Sequence, residues 1–196
     1  MPRIPLLTGA ATLAALLAAA TPALPQGYGN SYGSPQGRPA APAASADIGG
    51  VLGGFRDGTD RLCANVDPAY RVDCVADYFN WLADRLPASA EFGEAQSIVR
   101  NAARQLNQVA RQNASRTQAP AVIRQSRSAS AKKTSRPVVP VAPERQAAAR
   151  AAAAAIVQET RTLLLRAAEG PARRKLAFTR IAEAVGESRK ILLRST

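Results

Sequence analysis

Two pairs of carboxylates, Asp73 with Asp77 and Asp57 with Asp60, are spaced to share a helix face, where one acid can donate a proton and its neighbour accept one. The same spacing recurs on any solvated helix, so a carboxylate-based hydrolase is the most distant of the readings open to this chain. Other catalytic groups are missing. There is no histidine, which removes the commonest general base and metal ligand. The only two cysteines, Cys63 and Cys74, have ten residues between them, a spacing that favours a structural disulfide over a Cys-x-x-Cys redox pair. Closing that ring is worth about 3 kcal/mol or somewhat less, and bridged sulfurs offer neither a nucleophile nor a metal ligand. No Gly-x-Ser-x-Gly elbow, phosphate-cradling loop or dinucleotide fingerprint occurs. No catalytic, cofactor-binding or metal-binding residue is therefore assigned, and binding is the expected mode of action.

Charge is the chemistry the chain holds in quantity, with 26 Lys and Arg against 14 Asp and Glu, net +12. Residues 47–94 carry nine acids and four arginines, residues 95–143 nine bases and no acid, and residues 144–196 eleven bases and five acids. Arg124, Arg127, Lys132, Lys133 and Arg136 form one candidate anion-binding run, and Arg173, Arg174 and Lys175 a second. Cations at a helix start oppose the helix dipole at a cost of about a few tenths of a kcal/mol, which singles out the second cluster, although carbonyls ending the preceding helix would also receive it. For both runs the plain alternative is a solvated surface, or attraction between the acidic and basic parts of one molecule. Without aromatic residues to stack on bases, the first run suits nucleic acid less well than anionic lipid head groups, lipopolysaccharide or acidic polymers.

These groups need elements to position them. Residues 1–23 read as a secretory signal peptide: Arg3, an uncharged apolar run from Leu6 to Ala20, then small residues that allow cleavage near Ala20 or Ala23. The run is short of the about 20 apolar residues that span a bilayer, and retention as an uncleaved anchor is the alternative. Export into the periplasm or medium of a bacterium agrees with a disulfide. Residues 24–46, rich in Gly, Pro, Ser and Ala, read as an extended tether.

An all-α fold is expected beyond the tether, beginning with a disulfide-clipped helical unit over 47–113. Ile48, Leu52, Phe55, Leu62 and Val66 recur as one helix face would require, with Gly50, Gly54 and Gly58 open to close approach, and a frayed or irregular segment is the alternative that the glycines leave open. Asp73 is placed to cap a second helix carrying Val75, Phe79, Leu82 and Leu86, and Ser89 a third from about 90 to 113. Residues 114–143 read as a basic Ser- and Pro-rich linker, because a structureless loop of that length is unusual inside a compact domain. An alanine-rich helix then runs to about Ala168, and Gly170-Pro171 separates it from a last helix. This basic αα-hairpin, 144–196, cannot bury its apolar stripe alone. The leading expectation is therefore a structural or adaptor role in the cell envelope, with Phe178, Ile181, Val185 and Leu192 presented to a protein partner. The second expectation is an electrostatic binder of anionic envelope surfaces.

Overall fold

A computed structural model describes residues 48–125 and 132–194. The expected signal peptide and tether, and Arg127, lie outside the described residues. Within them the protein is 74% helical with no strand, an all-α fold. The helices are α1 (Ile48–Arg61), α2 (Arg71–Arg85), α3 (Ala90–Gln112), α4 (Gln146–Ala167) and α5 (Ala172–Leu193). Each helix packs on the next, and α5 returns to α1, so the five close into a ring around one core.

The amphipathic stripes account for that ring. Leu52, Phe55, Val75, Phe79, Leu82, Val99, Leu106, Val157, Leu164, Ile181 and Val185 are all essentially buried. Phe55 and Phe79 meet edge to face, with centroids 5.5 Å apart. Two glycines of α1, Gly54 and Gly58, have a use despite a helix cost of about 1 kcal/mol each. A Cβ at position 54 would stand 2.7 Å from Trp81, and one at position 58 would overlap the Tyr78 ring. Two aromatic rings of α2 thus rest directly on the α1 backbone. The Cys63–Cys74 disulfide, with Cα atoms 5.6 Å apart, ties the turn after α1 into the first half of α2.

Burial against α1 has a titration signature. The Tyr78 hydroxyl is pushed up to about 12, first by desolvation and then by the neighbouring Asp77 carboxylate. A raised pKa means the fold favours the neutral phenol. Its contribution is complete below the ordinary tyrosine value near 10 and is lost as pH rises through the folded value. Ultraviolet titration of the folded protein should therefore show a late tyrosinate step near pH 12 that Tyr78→Phe removes. A late step surviving in Tyr78→Phe would contradict this assignment.

Three expectations are corrected. The helix α2 begins at Arg71, so Asp73 lies inside its first turn instead of capping it. Residues 114–143 are not a free linker: their described parts fold into a two-armed strap laid on α2. The arms meet at isolated bridges between Ala114 and Val141, Ala121 and Val138, and Arg124 and Lys133. The physical reason is a set of acceptors on α2 that the sequence pattern did not reveal. Asp73, fully buried, receives both Arg136 Nη1 and Nη2 at 2.7 Å, the Val139 amide at 2.8 Å and Asn107 Nδ2 at 2.7 Å. Asp77 receives the amide and hydroxyl of Ser135. With Val138 and Val141 also buried, polar and apolar anchors combine to hold the strap.

The third correction concerns the hairpin, whose apolar stripe is covered by the chain itself. Phe178, Ile181 and Val185 are fully buried and Leu192 is 1% exposed. α4 lies on α3 and α5 lies on α1, so the face expected to meet a partner is part of the core.

Candidate functional site

The ring topology gathers charges that are far apart in sequence. α3 ends beside the start of α4, because the Ala142 amide donates to the Asn113 carbonyl at 2.8 Å. The start of α2 joins them through the Val141 amide, which donates to the Ala69 carbonyl at 2.8 Å. The end of α5 arrives at the same place: Arg71 on α2 and Arg150 on α4 both donate to the carbonyl of Arg194. One end of the bundle therefore holds Arg71, Arg111, Arg116, Arg145, Arg150 and Arg194.

Three of these line a cleft of about 600 Å³ between the end of α3 and the start of α4, together with Gln112, Ser115, Thr117, Pro143 and Glu144. Arg111, Arg116 and Arg145 are exposed there, three guanidinium groups against the single carboxylate of Glu144. Arg145 also caps α3 from outside, its Nη1 lying 3.2 Å from the Gln112 carbonyl, one of the acceptors a helix end leaves open. Among the described residues none of the three forms an ion pair. Like charges held together in excess of the one carboxylate create a positive potential that attracts anions.

The anion-binding residues expected from sequence are dispersed. Arg136 is bound to Asp73, which raises its pKa, and Lys132 pairs with Asp57 at 3.1 Å. That contact and the nearby Arg61 hold the Asp57 carboxyl below its ordinary value. Arg174 pairs with Glu94, stands 4.9 Å over the Phe178 ring and donates to the Ala167 carbonyl ending α4. These three serve the fold. Arg124 and Lys133 are exposed and oppose each other across a bridge, and Arg173 and Lys175 are exposed at the start of α5. The α5 start belongs to the opposite end of the bundle, where Asp84, Glu91, Glu94 and Glu169 supply compensating charge.

The carboxylate pairs carry no free acid and base. Asp73 and Asp77 are both committed to the strap, Asp57 is engaged by Lys132 and Arg61, and Asp60 is exposed. Among the described residues no cluster of side chains could hold a metal ion, and no helix is long and apolar enough to cross a membrane. A disulfide is compatible with an extracellular location. Comparison of the chain with family models, curated proteins and solved structures finds no match.

Proposed function

We propose that the protein is an exported, non-enzymatic binder of anionic envelope surfaces, acting in the periplasm or outside a bacterial cell after removal of the signal peptide near Ala20 or Ala23. The observation that carries this reading is the cleft in which Arg111, Arg116 and Arg145 stand together with one carboxylate. Outside the cytoplasm the abundant dense anions are the phosphates of lipid head groups and lipopolysaccharide, and each arginine near such a surface contributes about 1 kcal/mol. The adaptor role is not carried forward, because the apolar face it required is occupied by the protein's own core.

Co-sedimentation tests the reading. The mature protein should bind vesicles containing phosphatidylglycerol and ignore vesicles of phosphatidylcholine alone. Binding should weaken steeply between 0.1 and 1 M salt, as the screening length shrinks from about 10 Å to about 3 Å. Vesicles bearing lipopolysaccharide in place of phosphatidylglycerol distinguish the two phosphate sources. Equal binding to neutral vesicles, or binding indifferent to salt, would contradict an electrostatic role.

A further inference from the structure

Beside the open cleft, the same end of the bundle contains a cation with almost no access to water. Arg71, the first residue of α2, is 4% exposed. Its Nη1 donates to the Arg194 carbonyl at 3.1 Å, whereas its Nε is buried without any hydrogen-bond partner. Arg150 Nη1 reaches the same carbonyl at 3.2 Å, so one neutral acceptor serves two guanidinium groups. Among the described residues neither Arg71 nor Arg150 nor Arg194 has a carboxylate within ion-pairing distance.

A buried charge normally persists because it is paired and fully hydrogen-bonded, and an orphaned buried donor calls for an explanation. Burial and then the charges of Arg150 and Arg194 depress the Arg71 pKa, opposed by Asp67. An arginine stays protonated even so, and a bound oxyanion would supply the missing partner and counter-charge. Among the described residues the edge carrying Nε–H and Nη2–H makes no hydrogen bond, and this planar fork matches in spacing two oxygens of a phosphate or carboxylate.

We propose that Arg71 and Arg150 form a specific site for a single oxyanion group, a phosphate or a carboxylate, seated on the free fork of Arg71 at the junction of α2, α4 and α5. This is a defined one-to-one site, separate from the diffuse attraction of the exposed cleft. It does not depend on vesicle binding, and either can fail while the other stands.

Inorganic phosphate is the first probe, titrated against the mature protein at constant ionic strength in chloride, with calorimetry and melting temperature as readouts. Acetate in a parallel titration separates carboxylate from phosphate preference. The expected result is saturable binding of one phosphate or acetate per chain with a rise in melting temperature. Arg71→Met should abolish it while melting no lower than the parent in chloride, since the variant removes an unpaired buried charge. Arg71→Lys keeps the charge but loses the fork and should bind about tenfold or more weakly. The lysine variant decides the matter should the methionine variant fail to fold. No saturable response to either anion would overturn the proposal. So would an unchanged response in Arg71→Lys, which would assign the effect to the exposed arginines of the cleft.

Discussion

Asp73→Ala should lower the stability of the protein by about 3 kcal/mol, because the substitution strips four hydrogen bonds from the point where the strap meets α2. A buried pair broken on one side usually costs somewhat more than this, but the Arg136 side chain is 30% exposed and regains water when its partner is gone. The Val139 amide and the Asn107 side chain, both part-buried, have less such recourse. Thermal unfolding should shift down by about 10 °C, and exchange of the Val139 amide should accelerate before global unfolding. Removal of an exposed partner, Asp84 of the Arg100 pair, should change stability by less than about 1 kcal/mol. Equal small effects at both positions would mean that the strap is not held by Asp73.

Phe178→Ala should be at least as damaging, with a loss of about 4 kcal/mol. The ring is fully buried within the common core, and Arg174 covers it at 4.9 Å. Its removal leaves a void that the closed ring of helices cannot readily collapse around, and the cavity adds to the lost transfer free energy. Denaturant unfolding followed by circular dichroism measures this directly. Were the α5 stripe an open partner-binding face, the same substitution would leave stability nearly unchanged and weaken only binding.

The elements were legible in the sequence because hydrophobic periodicity and helix-stopping residues are local signals. The stripes through Phe55, Phe79 and Leu106 were expected inside and are buried, and Gly54 and Gly58 of α1 were expected to admit a close neighbour and do so. The disulfide followed from cysteine arithmetic. The strap was not legible, because it is held by long-range pairs. Arg136 reaches Asp73 across 63 positions and Ser135 reaches Asp77 across 58, and nothing local to a Ser- and Pro-rich stretch announces such partners.

The candidate site was missed for a related reason. Adjacency in sequence is a poor guide to a basic cluster: Lys132, Arg136 and Arg174 face acids contributed by other helices. The arginines that remain together, Arg111, Arg116 and Arg145, are brought near one another by the meeting of α3 with α4. Helix order carries a usable signal. In an alternating bundle the end of α3 and the start of α4 share one end, so arginines at consecutive helix boundaries gather there without being neighbours in the chain.

The most direct test compares the two ends of the bundle in vesicle binding. A variant carrying Arg111→Gln, Arg116→Gln and Arg145→Gln alters only exposed side chains and should fold as the parent does. It should bind phosphatidylglycerol vesicles about 100-fold more weakly, at about 1 kcal/mol for each arginine removed. Arg173→Gln with Lys175→Gln alters the opposite end, about 30 Å away by the length of α4 and well beyond the screening length. That variant should bind as the parent does. Equal losses in the two variants, or a larger loss from the α5 end, would contradict the assignment of binding to the arginine-lined cleft.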